Sequence, residues 1–142
     1  MGLLAQVSAE PLSLDAHLQA VASPDAGAVA SFIGQVRDHD PEATGEVVSL
    51  EYSAHPDAGR ILTEIATRFT EKFADAGVQI AVSHRVGLLA VGDLALVACV
   101  SSAHRAPAFE ACRGLVEAVK VELPVWKRQS TQDGTHSWVG LT

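Results

Sequence analysis

Cysteine is scarce in this chain: only Cys99 and Cys112 occur among 142 residues, the first in an apolar strand pattern and the second on an apolar helix face. Neither belongs to a C-x-x-C pair, so both read as reduced core residues rather than as a disulfide framework. Any sulfur chemistry done here must take its sulfur from elsewhere. Positive charge is also sparse. No lysine or arginine precedes Arg37, and the net charge is −7, which argues against binding nucleic acid or anionic membrane through overall charge. With one tyrosine and four phenylalanines, the chain also lacks the basic stretches interleaved with exposed aromatics that a single-stranded nucleic-acid module requires. Long hydrophobic runs are missing too. Val86 to Val100 is the longest, but Gly92-Asp93 interrupts it and it is too short to span a bilayer. The N-terminus has no basic region of a secretory signal, so a cytoplasmic protein is expected. The six histidines form no i,i+4 pair with metal-ligand spacing, and no metal is expected.

What remains is an ordinary globular composition, 48% apolar and 19% charged, without repeats or low-complexity segments. A single domain over residues 1–142 is expected. Leu3 to Val7 reads as a strand, and Ser13 caps a short helix through Leu14, Leu18 and Val21. Ala28 to Val36 and Glu46 to Tyr52 read as two strands that pair across the polar loop between them. Pro56 opens a helix reaching Gly77, with Ile61, Leu62, Ile65, Phe69 and Phe73 on one stripe. Val78 to Val86 and Leu94 to Ser101 are strands joined by a loop with Gly87 and Gly92. A third helix starts at Pro107 and runs through Phe109, Cys112, Leu115, Val116 and Val119. Val125 to Ser130 and Thr135 to Val139 form a hairpin around Asp133-Gly134. Strand pairs alternating with helices predict an α+β layered domain with a mixed or antiparallel sheet.

Three segments carry candidate chemistry. Pro124 ends the third helix just after Lys120, and Lys127 follows on extended chain, so two amines reach one place from two kinds of backbone. Alternation puts Lys127 on one strand face with Val125 and Gln129, and Trp126 with Arg128 on the other. Ser101-Ser102-Ala103-His104-Arg105 joins a strand to a helix N-terminus, a setting that suits an anion. Gly34-Gln35-Val36-Arg37-Asp38-His39 leaves an apolar strand for a polar loop. These segments fit a catalyst. They also fit a non-catalytic scaffold that binds a phosphorylated metabolite or a carrier protein's tail, which would need Arg37, His104 and Arg105 but not the paired lysines.

Those three segments, together with His84-Arg85-Val86-Gly87, Gly92-Asp93 and Phe109-Glu110-Ala111, resemble the catalytic (large) subunit family of molybdopterin synthase over nearly the whole chain. The resemblance implies an α/β hammerhead-like fold with an added β-rich subdomain. It implies a sulfurtransferase that needs no cofactor of its own and builds the dithiolene of molybdopterin on cyclic pyranopterin monophosphate. The sulfur would come from the C-terminal Gly-Gly thiocarboxylate of a small ubiquitin-like carrier, within a heterotetramer built on a central homodimer. Lys120 and Lys127 would be catalytic, and Arg37, His104 and Arg105 would contact substrate. Arg128, Gln129, Gln35, Val36 and His39 would border the same pocket. Gln129 stands where the family commonly has glutamate and Gln35 where it often has lysine.

Overall fold

The computed structural model describes residues 3–38, 47–131 and 136–139. Its elements in order are β1 (Leu3–Ser8), α1 (Leu14–Ala20), β2 (Ala28–Gln35), β3 (Val47–Ala54), α2 (Ala58–Lys72), β4 (Gln79–Arg85), β5 (Gly87–Ala90), β6 (Leu94–Ser102), α3 (Arg105–Glu122), β7 (Val125–Thr131) and β8 (His136–Val139). The eight strands form two four-stranded sheets, ordered β1-β4-β6-β2 and β5-β3-β7-β8. In the first, β1 pairs parallel to β4 while the other pairs are antiparallel; the second is antiparallel throughout. The α+β class and the mixed sheet are as the strand-pair pattern predicts.

The pairing of β2 with β3 is not. β2 lies along β6, and β3 lies between β5 and β7 in the other sheet. The physical reason is at the end of β2, where the register shifts between Gly34 and Gln35 and the chain then bonds to the β5–β6 turn through Val36 N–H to Asp93 O. A bulge bends its strand and terminates pairing. The segment predicted as a loop between β4 and β6 contains β5, held between two glycines of positive φ, Gly87 and Gly92.

Helices α2 and α3 cover one face of the first sheet. The stripe of α2 buries Ala58, Leu62, Ile65 and Ala66, and that of α3 buries Ala108, Ala111, Cys112, Leu115, Val116 and Val119, both at three- and four-residue spacing. They meet Ile80, Val82, Leu96, Ala98 and Val100 of the sheet. Fully burying a leucine or isoleucine such as Leu62 or Ile80 stabilises the fold by roughly 1.5–3 kcal/mol relative to leaving it exposed. Phe109, expected in this stripe, is 66% exposed, because the stripe begins one residue earlier at Ala108. Helix α2 stops at Lys72, and a 3₁₀ turn, Ala74–Ala76, carries the chain to Gly77 in the left-handed conformation. Helix α3 starts at Arg105 rather than at Pro107. The third helical position tolerates proline because its N–H would have no partner in the first turn.

On the opposite face of the first sheet, α1 packs Val21 and its neighbours against Ala81, Val97 and Cys99. The Ser13 side chain caps α1 as predicted, accepting from Ala16 N–H at 3.1 Å. His17 is buried here, with Nδ1 2.6 Å from Ser13 O and Nε2 2.6 Å from the Ser83 hydroxyl. A smaller core of Val36, Leu50, Leu89 and Ala95 joins the second sheet to the first. No helix among the described residues is long and apolar enough to cross a membrane.

Candidate functional site

The site is built where α3 runs into β7. Leu123 closes the helix in an extended conformation, its N–H bonded to Val119 O, and Pro124 cannot donate to continue the ladder. Pro124 O instead accepts from His55 N–H at 3.0 Å, which ties the turn to the end of β3. The chain enters the second sheet at Val125, with Tyr52 opposite Lys127 and Glu51 opposite Arg128. Directly opposed residues share a face, so Tyr52 and Lys127 point one way and Glu51 and Arg128 the other.

The inward face closes a cleft of about 80 Å³ whose polar lining is Gln35, Tyr52, His84, Lys120 and Lys127. Five elements contribute these polar groups: the bulged end of β2, strand β3, strand β4, the last turn of α3 and strand β7, with Ala95 and Leu96 of β6 in the wall. Both lysines therefore reach one cleft, as their sequence setting predicts. Among the described residues no carboxylate lines it. The Lys120 amine titrates below the ordinary lysine value, chiefly because the surrounding chain desolvates it and secondarily because Lys127 is cationic; Glu117 opposes the shift.

Two further residues of the cleft, Tyr52 and His84, do not stand out in the sequence. Their rings meet edge to face with centroids 5.1 Å apart. His84 is 8% exposed, and its Nδ1 lies 2.7 Å from Arg85 O. Burial lowers its pKa to about 4, with the Lys120 charge adding to the shift and the bond to Arg85 O opposing it, so the imidazole is neutral at neutral pH. The available signal is strand alternation. Ile80, Val82 and His84 share the helix-covered face of β4, and only the last is polar.

The other predicted site residues fall elsewhere. His104 is the N-cap of α3 and Arg105 its first residue, both exposed. The first turn of α3 contains no acid to complement the helix dipole, so these cations stand at the positive end. Fifteen residues of helix separate Arg105 from Lys120, an axial distance of about 22 Å at 1.5 Å per residue. Within one chain the two positions stand about four helical turns apart.

Arg37 is exposed two positions beyond Gln35 and does not line the cleft. Val36 is 3% exposed and packs with Leu50, Leu89 and Ala95; it serves the core. Arg128, expected to border the pocket, points from the opposite strand face, with Nε 4.0 Å from a Glu51 carboxylate oxygen. Gln129 stands opposite Leu50 in the β3–β7 ladder, and its side chain lies outside the described part of the chain. His39 lies outside the described residues altogether.

Cys99 and Cys112 are buried free thiols, and burial pushes both upward, Cys112 to about 11, so neither is a nucleophile at neutral pH. Among the described residues, no group of three or more His, Cys, Asp or Glu could hold a metal ion.

Comparison with known proteins places this architecture. The chain is 42% identical over 132 residues to the molybdopterin synthase catalytic subunit 1 of Mycobacterium tuberculosis, covering 92% of this chain and 86% of that one. It superposes on molybdopterin synthase from Staphylococcus aureus with a TM-score of 0.86 at 31% identity, covering 96% of each chain. A chain from Helicobacter pylori, solved as a protein–protein complex of subunits 1 and 2 of molybdopterin-converting factor, shares the fold at a TM-score of 0.73 and 19% identity, covering 95% of this chain and 88% of that one. The family model described as MoaE protein matches residues 7–122, and with these relatives it shows that the chain belongs to the MoaE family.

Proposed function

We propose that this chain is the catalytic subunit of a molybdopterin synthase. It transfers sulfur from the C-terminal thiocarboxylate of a small carrier protein to cyclic pyranopterin monophosphate, making the dithiolene of molybdopterin. The observation that carries the reading is the convergence of Lys120 and Lys127 on one cleft that has no carboxylate among the described residues. A thiocarboxylate is an anion, and its attack on a substrate carbon develops further negative charge, which two ammonium groups fixed in a narrow cleft stabilise without reorganising. Lys127 acts at the carbon that accepts sulfur. Lys120, whose amine titrates below the ordinary lysine value, holds the carrier's carboxyl group. The thiols of this chain are buried and protonated, in keeping with sulfur supplied by a partner. A cytoplasmic location, where such thiols stay reduced, fits the same reading. A scaffold that only bound a tail or a phosphate would not need two amines pressed together at an electrostatic cost.

The carrier is a separate small subunit, and support for a two-subunit assembly comes from the Helicobacter pylori complex of the same fold. The catalytic subunit works as a homodimer. Arg105 lies about 22 Å along α3 from Lys120 of its own chain, so it and His104 complete the cleft of a second copy. Strand β2 offers the route. It has no partner on its outer side among the described residues, it begins beside Ser102 and it ends at the cleft. Phe109 is 66% exposed on this side, and β2 with α3 forms a groove of about 330 Å³ lined by Phe32, Phe109 and Val116. A twofold axis near the middle of β2 carries the partner's α3 N-terminus to the end of β2 that lines the cleft. The substrate's phosphate then meets the partner's His104 and Arg105 while its reacting carbons meet Lys127, with Arg37 at the rim.

Reconstitution tests the reading. The purified chain, a fully thiocarboxylated carrier and cyclic pyranopterin monophosphate should yield molybdopterin, and Lys127→Ala should abolish product while carrier binding is retained. Absence of product from the unmodified chain would overturn it.

A further inference from the structure

His84 is the buried polar group that the proposed mechanism leaves unused. A carbonyl oxygen only accepts, so the contact with Arg85 O at 2.7 Å places the imidazole proton on Nδ1 and leaves Nε2 a bare acceptor. Nε2 has no hydrogen-bond partner among the described residues, although His84 is only 8% exposed. Edge-to-face contact with Tyr52 fixes the ring in the cleft wall. His84 lines the cleft, so an acceptor on its ring can be met there by a donor of whatever fills it. An occupant that uses both groups carries an anion for Lys120 and, close to it, an N–H or O–H for His84.

A polypeptide C-terminus has that pair of groups. Its carboxyl or thiocarboxyl carbon is two bonds from the nitrogen of the last amide, and a terminal glycine adds no side chain to a cleft of about 80 Å³. We propose that His84 is a positioning residue that accepts, at Nε2, the last amide N–H of the carrier tail while Lys120 takes its terminal anion. The inference rests on the synthase reading and adds to it the residue that sets the tail's depth and rotation. A neutral imidazole suits the task, since a protonated one would donate where an acceptor is needed and would repel Lys120.

The test compares two semisynthetic carriers, one ending in Gly-Gly and one in which the last amide is replaced by an ester, each titrated into the full chain. The ester should bind about 5- to 20-fold more weakly to the unmodified protein, as expected for one buried hydrogen bond. In His84→Phe the two carriers should bind within about twofold of each other, and His84→Gln, which retains an acceptor, should restore part of the preference. Because the Phe variant can misfold, the ¹⁵N resonance of His84 Nε2 in the unmodified protein supplies an independent readout; it should move on binding the amide carrier and stay in place with the ester. Equal binding of the two carriers to the unmodified protein, or an undiminished preference in folded His84→Phe, overturns the role of His84 while the synthase reading stands. Failure of the amide carrier to bind at all removes both.

Discussion

The two ends of α3 carry cations in opposite settings. At the N-terminus, His104 and Arg105 are exposed on a tightly built backbone: Gly27 N–H bonds to Ser102 O at 3.0 Å and Ala103 N–H to Ala76 O at 3.2 Å. Their charge adds to the positive end of the helix dipole. At the C-terminus the dipole favours Lys120, yet Lys127 and the surrounding chain press its pKa down. One end is exposed, and the other is a crowded pair of amines. On the proposed reading, charge of the same sign serves binding at one end and chemistry at the other, and the difference comes from solvent access and neighbours.

Several substitutions sharpen that contrast. The largest effect is expected at the crowded end, where Lys127→Ala should lower the single-turnover rate of dithiolene formation by about 10²- to 10³-fold with little change in carrier affinity. A next-larger effect concerns stability. His84 is neutral in the fold with a pKa of about 4, against an ordinary 6.5 in the unfolded chain, so between these values the unfolded state takes up a proton that the native state refuses. Its contribution is undiminished above pH 6.5 and is lost as pH falls toward 4, by about 3 kcal/mol over the window. Urea titrations at several pH values should show this loss, and a folded His84→Phe protein should show a flatter profile.

At the open end, Gly27→Ala should cost about 1–3 kcal/mol, since a Cβ there would lie 2.6 Å from Ala103 O and force the junction apart. Equilibrium unfolding measures it, and an unaltered midpoint would mean that the junction is looser than described. The smallest effect has the opposite sign. Lys120→Met should raise the melting temperature slightly at neutral pH, because it removes a desolvated cation beside Lys127, while activity falls.

Much of this arrangement is legible in sequence where local rules apply. The proline stop after Lys120, the placement of Lys127 on one strand face and the stripe of α2 follow from backbone chemistry and periodicity, and the structure has all three. Pairing over long sequence distances is not legible. Strand β2 joins β6, more than sixty residues onward, because a bulge at Gly34/Gln35 ends it before the chain can fold back on itself. Proximity in a motif also misleads: Val36 stands between Gln35 and Arg37, yet it points into the small core. Arg128 neighbours Lys127 but faces Glu51, in keeping with simple alternation along the strand. The separation of His104 and Arg105 from Lys120 is likewise a local matter, since the length of the helix between them sets it. The burial of His84 is not local, because it depends on the second sheet closing over the end of β4.

The central claim is that the two ends of α3 act on one substrate, each contributed by a different copy of the chain. Mixing Lys127→Ala protein with Arg105→Ala protein, each inactive alone, and allowing subunits to exchange tests this most directly. Random pairing makes half of the dimers mixed, and in each of these one of the two sites has both residues intact, so about a quarter of the unmodified activity should return. Activity that stays at the level of the separate variants after verified exchange would contradict the account.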